Sequence, residues 1–402
     1  MARLKRLRIQ LVKINSKLST FIKKYPAIVI PLVWIISMVI LRFFVVSVIH
    51  QPGNTTYNPP IITGLIGAIK WDGVSYLAII QKGYDLSSFN TVFYPVFPLI
   101  IFLLHKIGIN IVVAAQFINA IALLIASQGL YLLTMEVTRK RKVAILTILA
   151  WLAFPSAHFF IAFYTEAVFV ALATWSLLLL LRKKYLASGI LAALAGGTRG
   201  VGIIFAIVIA AQYLSDKNWS WRKIDWQIVS IPVALAGTGT YWLWLYSKTN
   251  VYPWVYFASI YDKYWPYMGF EANIFRTIYK ETTGMIGLVG STAWLDDWFS
   301  QLFTRLHFFI AWLAIAWSAW VGWRKKLPIS LVVYSGLTAL TLVLTGNFVS
   351  DSRYILAVFP VFILIAMWLD KQAEWVRTLY FVLSAVGLGA MLTMFSNGYW
   401  VG

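Results

Sequence analysis

The chain contains no cysteine, which excludes a disulfide framework, thiol chemistry and any cysteine-ligated metal. Histidine is nearly as scarce, with His50, His105, His158 and His307 scattered without ligand spacing, so the residues point to no metal site. No Walker-type phosphate loop, no G-x-S-x-G elbow and no dinucleotide fingerprint opening a helix after a strand occurs. The usual nucleotide-binding and serine-hydrolase readings go with them. Period-2 alternation is missing from the apolar stretches, which excludes a β-barrel. Acidic residues are few: 14 Asp and Glu stand against 34 Lys and Arg, for a formal net charge of +20. An excess of that size invites a nucleic-acid partner, yet the basic residues stand in short clusters between apolar runs, as topology signals do.

What the sequence has in quantity is hydrophobic surface. Of 402 residues 60% are hydrophobic and only 12% charged, and apolar runs of roughly 20 residues recur, each long enough for about 30 Å of hydrocarbon. Spans of that kind must satisfy their own backbone hydrogen bonds, so the fold class is an all-α polytopic membrane protein, read as one transmembrane domain over 1–402. The run from Pro26 to His50 is too long for a signal-peptide core and no small-residue cleavage site follows it, so it is a retained span. Eight basic residues from Arg3 to Lys24 precede it with no acid among them, which puts a cytoplasmic N-terminal segment at 1–25 and makes 51–110 the first outer loop. Basic clusters at 139–142, 182–184, 217–223, 324–326 and 371–377 fall on the same inner side. Between them the spans read as 111–133, 143–158, 166–181, 186–198, 200–214, 226–246, 302–323, 328–346, 354–369 and 378–400, about eleven crossings in all. "FYPVFPLIIFLLHK" is too short to cross and reads as a juxtamembrane helix of the outer loop, opened by Pro95 and Pro98. A second, large outer loop covers 247–301.

One pair of segments is anomalous. Between the inner clusters at 182–184 and 217–223 each leg reaches roughly 21 Å at 1.5 Å per residue, and the turn contains "AGGTRGVG". A short, glycine-interrupted pair with Arg199 at its break points to a binding site within the membrane.

The other uncommon polar residues share the outer side. Asp72 follows Trp71 in the first outer loop, Glu166 stands at the outer end of a span, and Asp351 and Arg353 sit in "SDSRY". Each has a plainer structural reading: Asp72 as a cap beside an interfacial tryptophan, Glu166 as an acid at a helix N-terminus, Asp351 with Arg353 as a solvated turn. Asp296 and Asp297 read as a turn. Together they describe a different thing. An arginine pairs with phosphate, the bilayer holds a lipid tail, and a carboxylate deprotonates an acceptor hydroxyl. That is the chemistry of a sugar transferase acting on a polyprenyl-phosphate-linked donor.

"WDGVSYLAIIQKGYD" followed by "FYPVFPLI" resembles the opening motifs of the PIG-V family, the GPI mannosyltransferase II group and its prokaryotic relatives. "FPSAHFFIAFYTEAVF", "AGGTRGVG", "PWVYFASIYDKYW" and "SRYILAVFPVFILIA" are similar to later motifs of that family, in the same order. The resemblance implies a GT-C-type bundle, Asp72 as catalytic base, Glu166 as a second acid that orients the acceptor or shares the base role, and inversion at the sugar carbon. It also implies a polyprenyl- or dolichyl-phosphate mannose donor whose phosphate meets Arg199 and Arg353, with no cofactor and no metal. Trp71, Tyr84, Tyr94, Tyr164, Trp254, Tyr256 and Trp265 are candidates to line the substrate site, although aromatic belts occupy that depth in any membrane protein. The chain departs from the family where Gly200 and Val201 replace polar residues and where the outer loop lacks its usual glutamine, which bears on the acceptor and the sugar. The expected partners are membrane lipid, the lipid-linked donor and an outward-facing glycan or glycolipid acceptor, with no nucleic acid, in a prokaryotic cell membrane. The alternatives are a carrier or flippase of lipid-linked sugar, or a related enzyme transferring another sugar or acting on protein. The oligomeric state is not legible.

Overall fold

A computed structural model describes residues 24–48, 68–264, 327–343 and 351–399, together with a few isolated positions. Every regular element among the described residues is helical. The first helix, α1 (Pro26–Val48), shows how sequence and solvent divide its surface: Ala27, Pro31, Ile35, Arg42 and Val45 are buried along one face. Ile28, Leu32, Val33, Ile36, Ile40, Phe44 and Val48 are exposed. An apolar row of that length turned outward fits lipid and not water. The protein is an integral membrane protein.

The stretch expected as the first outer loop carries two short helices, α2 (Asp72–Lys82) and α3 (Val96–Lys106), the second in the place expected for the juxtamembrane helix. Helix α4 (Ile111–Thr138) is capped by Asn110, whose side chain accepts from the Val112 amide at 2.9 Å, and stops at Arg139 in the left-handed conformation. Thereafter come α5 (Arg141–Ala153), α6 (Glu166–Leu181), α7 (Tyr185–Gly196) and α8 (Phe205–Asp216). A bent pair, α9 (Ser230–Ala234) and α10 (Ala236–Thr249), leads to α11 (Pro253–Tyr264). The chain closes with α12 (Ile329–Val343), α13 (Asp351–Tyr354), α14 (Pro360–Leu369) and α15 (Glu374–Ser396).

Helix α6 is the centre of the bundle, buried along most of its length and packed on α4 and α7. Close approach there depends on small residues: a Cβ on Gly129 of α4 would stand 2.5 Å from Thr174 Oγ1 on α6, the small-residue packing expected of helices that cannot use water to drive them together. Among the described residues, helices α1, α4 and α15 are long and apolar enough to cross a membrane by themselves, and two bent pairs, each taken as one span, raise the number to five. Shorter apolar helices, α6 among them, accompany these.

The sequence-based boundaries need correction at three spans. The run expected at 143–158 is interrupted: α5 ends at Ala153 and a 3₁₀ segment, Pro155–Ile161, leaves at 84°, because Pro155 has no amide to continue the helix. The run at 226–246 bends by 49° at Leu235, three residues after Pro232. In the run at 354–369 the α-helix starts only at Pro360, after a 3₁₀ turn at Ile355–Ala357. The span expected at 302–323, the histidines 50 and 307, Asp296 and Asp297, and Trp265 lie outside the described residues.

Candidate active site

The site is built on helix N-termini and on one break between helices. Asp72 is the first residue of α2 and Glu166 the first of α6, where the helix dipole favours a carboxylate. Between Phe163 and Ala68 a backbone hydrogen bond of 3.0 Å joins the two entry segments, and the Tyr164 hydroxyl donates to the Lys70 carbonyl at 3.1 Å. Gly73 permits that approach, since a Cβ there would stand 3.3 Å from both the Cβ and the carbonyl oxygen of Phe163. Burial pushes the Lys70 ammonium below its usual range. Trp71 enters α2 with φ of 51° and ψ of −116°, a sparsely populated backbone region for a residue with a side chain.

The segment that delivers Glu166 is itself clamped. Asn119 on α4, fully buried, donates to the carbonyls of Ala162 at 2.6 Å and Tyr164 at 3.1 Å. Arg42 on α1 donates to the carbonyl of Ile161 at 2.9 Å and to Gln116 at 3.1 Å.

Arg199 arrives from the break between α7 and α8. Helix α7 stops at Gly196, and a 3₁₀ turn, Gly200–Ile204, precedes α8, with Arg199 in extended backbone just before it. The Gly202 backbone lies so near Gly196 that a Cβ has no room. Arg353 comes from α13, far along the chain.

These four residues form one charge cluster. Arg353 Nη1 stands 2.5 Å from Asp72 Oδ2, Arg199 Nη1 stands 2.5 Å from Glu166 Oε1, and Arg353 Nε is 3.9 Å from the same Glu166 oxygen. Side-chain exposure falls from 23% at Asp72 and 15% at Arg199 to 6% at Arg353 and 4% at Glu166. Asp72 is therefore the more exposed carboxylate of the cluster, with Glu166 the more deeply buried. The Thr165 hydroxyl accepts a further bond from Arg199 at 3.2 Å. Both guanidiniums lie 4.9 Å from the Tyr354 ring, and Arg353 also lies 5.1 Å from that of Tyr164, so π faces fill the space that water would otherwise take. Two buried atoms of the cluster, Glu166 Oε2 and Arg353 Nε, have no hydrogen-bond partner among the described residues. A buried charged group with an empty valence is expensive unless a ligand completes it.

The aromatic candidates divide. Tyr94 is beside the cluster: a Cβ on Gly200, next to Arg199, would stand 3.0 Å from its hydroxyl. That hydroxyl accepts from Trp242 at 3.0 Å, and burial raises its pKa to about 12. Trp71, half-exposed, directly precedes Asp72. Tyr164 is fully buried, and its hydroxyl donates to the Lys70 carbonyl, which ties it to the segment that carries Asp72. Tyr84 donates to the Phe93 carbonyl at 2.8 Å and packs on Tyr241 and Trp244. Tyr256 donates to the Leu86 carbonyl at 2.8 Å, which fastens α11 to the segment between α2 and α3. Trp254 is exposed and stacked on Tyr252. Sequence reasoning missed Tyr354, Phe159, Tyr261, Asn119 and Arg42. Phe159 lies 6.0 Å beneath Arg353. Tyr261 is within electrostatic reach of Asp72 and Arg353. Arg42 carried a signal of its own, as an arginine inside an apolar span. No cluster of three or more potential metal ligands occurs among the described residues.

Comparison with known proteins adds the following. Residues 58–220 match the family described as Mannosyltransferase (PIG-V), a stretch that contains Asp72, Glu166 and Arg199. The chain is similar to the GPI mannosyltransferase pigv-1 of Caenorhabditis elegans, 24% identical over 144 residues. That alignment covers 32% of this chain and only 21% of the nematode protein. Among solved structures it is similar to ArnT from Cupriavidus metallidurans in the apo state, with 15% identity and a TM-score of 0.48 over 92% of this chain and 76% of that one. Another is the Archaeoglobus fulgidus oligosaccharyltransferase in the apo form, with 13% identity and a TM-score of 0.46 over 92% of this chain and 56% of that one.

Proposed function

We propose, from the match of residues 58–220 to the family described as Mannosyltransferase (PIG-V), that the chain is a membrane glycosyltransferase of that family, an inverting mannosyltransferase that uses a polyprenyl-phosphate-mannose donor. The observation that carries the reading is the cluster of Asp72, Glu166, Arg199 and Arg353. Its cations suit a phosphate, and its most exposed acid suits a base. In this reading the lipid donor enters from the bilayer with its phosphate at Arg199 and within reach of Arg353, and its sugar beneath the outer loops. Asp72 removes the proton of the acceptor hydroxyl as that oxygen attacks the anomeric carbon from the face opposite the phosphate. Glu166, behind Asp72, orders Arg199 and offers its free oxygen to a substrate hydroxyl. Trp71 and Tyr94 are the aromatics best placed to meet the sugar. The whole chain acts as one GT-C-type transmembrane domain, its N-terminus cytoplasmic and its site on the outer face of a prokaryotic cell membrane, with a glycan or glycolipid as acceptor.

The test is transfer by the purified protein in lipid nanodiscs, with polyprenyl-phosphate mannose as donor and extracted envelope glycolipids as acceptors, read by mass spectrometry. Glycosidic product with inverted configuration is expected, and Asp72→Asn should lower its rate by about 10²–10⁴-fold. Unchanged turnover in Asp72→Asn would remove the catalytic assignment. Movement of donor across vesicles without product would favour a carrier.

A further inference from the structure

Both guanidiniums are already occupied before any phosphate arrives, Arg353 by Asp72 and Arg199 by Glu166. An incoming phosphate must therefore share an arginine with a carboxylate or take it away. The two pairs are unequal. Arg199 is fixed further by Thr165 at 3.2 Å. Arg353 stands between both acids, bonded through Nη1 to Asp72 and 3.9 Å through Nε from Glu166, with that Nε making no hydrogen bond among the described residues. It rests between the rings of Tyr164 and Tyr354 at 5.1 and 4.9 Å. Ring faces attract a cation without fixing its fork to one geometry. Tyr164, Tyr76 and Tyr261 also act electrostatically with Asp72, but tyrosine hydroxyls ordinarily stay neutral up to about pH 10. Lys70 stands two residues away in the chain, and Glu166 reaches Asp72 only across Arg353. The charge bonded to Asp72 is that of Arg353.

We propose that Arg353 passes from Asp72 to the donor phosphate during transfer, so that protonation of the base and growth of charge on the leaving group are one coupled event. This rests on the function proposed above. The step balances: a lone pair of the acceptor oxygen forms the new bond to the anomeric carbon, and the bond from that carbon to the phosphate oxygen breaks with its electron pair left on the phosphate. The acceptor's proton goes to Asp72. Asp72 becomes neutral and loses its hold on Arg353 as the phosphate gains one negative charge, so total charge in the cavity is unchanged while the position of the anion moves. A preformed cation that follows it stabilises the later charge distribution at the expense of the earlier one, which is what lowers a barrier.

Asp72→Asn is a mimic of the protonated base, so it should release Arg353 in advance. The experiment measures binding of undecaprenyl phosphate, the product-like lipid, to the full chain in nanodiscs for the unaltered protein, Asp72→Asn, Arg353→Gln and the double variant. Asp72→Ala serves as a second carboxylate deletion should the asparagine variant misfold. The expected result is binding about tenfold or more tighter in the Asp72 variants than in the unaltered protein, weaker binding in Arg353→Gln, and no gain from Asp72→Asn once Arg353 is gone. Equal or weaker binding by folded Asp72 variants, in a protein that binds the lipid and turns over, would overturn the handover and leave the transferase reading intact. Failure of the unaltered protein both to bind the lipid and to form product would overturn the function itself, and the handover with it.

Discussion

At the scale of single residues the geometry of the cluster depends on groups that never touch its charges. Asn119 serves two carbonyls on the segment leading to Glu166, both in a place that water does not reach. Asn119→Leu keeps the volume and removes both donors, so it should destabilise the protein by about 1–3 kcal/mol for each carbonyl left unpaired, seen as a lower unfolding temperature, with transfer activity falling alongside. Gly73→Ala is the opposite kind of change. Its methyl would press on Phe163 at 3.3 Å, displacing the start of α2 by a few tenths of an ångström. Stability should hardly move while kcat drops, since small misplacements of a reacting group are felt strongly. A comparison of kcat with thermal unfolding for the two variants tells positioning from folding.

At the scale of elements the crossing of α7 and α10 is the tightest approach that a described glycine permits. A Cβ on Gly237 would fall inside the Ala193 carbonyl oxygen, a backbone atom that cannot rotate away. Gly237→Ala should therefore separate the two helices, lower stability by about 1–3 kcal/mol or more and disturb Arg199 at the end of α7. Thermal unfolding and the yield of monodisperse protein measure this. Such features explain what was legible in sequence and what was not. Helix α6 was readable to both its ends, because an uninterrupted apolar run begins at an acid and stops at a basic cluster. The break at Arg199 was readable because glycines crowd around it. Asp72, Glu166 and Arg199 stood out as rare charges among apolar residues. That Arg353 belongs with Asp72 was hidden, because its helical turn is brought there by contacts that join distant parts of the chain. The bends after Ala153 and at Leu235 were concealed by hydropathy, which is blind to where a proline breaks the backbone. Tyr354, Tyr261 and Phe159 were invisible among the many aromatics of the chain.

At the scale of the whole molecule orientation and acid stability can both be measured. The absence of cysteine gives a background free of thiols for labelling. Lys82→Cys, at the end of α2 beside the exposed outer loop, should react with an impermeant maleimide in intact cells, and Lys183→Cys only after permeabilisation. Equal labelling of the two would refute the proposed outer location of the site. On the basic side, the Lys217 ammonium, bonded to Asp225 at 2.6 Å, holds that carboxyl below its usual range, and Lys142 does the same for Asp370 at 2.8 Å. A carboxyl depressed in the folded state contributes stability above its unfolded value, about pH 3.9, and that contribution is lost as pH falls through the lower folded value. The unfolding temperature should fall in that acid window and fall less steeply in an Asp225→Asn, Asp370→Asn double variant. The effect should be small, because both pairs are open to solvent.

The backbone of Trp71 has one more consequence. A chain that turns into α2 through a conformation no helix can share cannot add a turn in the direction of Lys70, nor unwind one without releasing the bond between Tyr164 and Lys70. The backbone of Asp72 thus has no local hinge. It travels only when the short helix behind it travels, so a shift of that backbone is a rigid shift of α2.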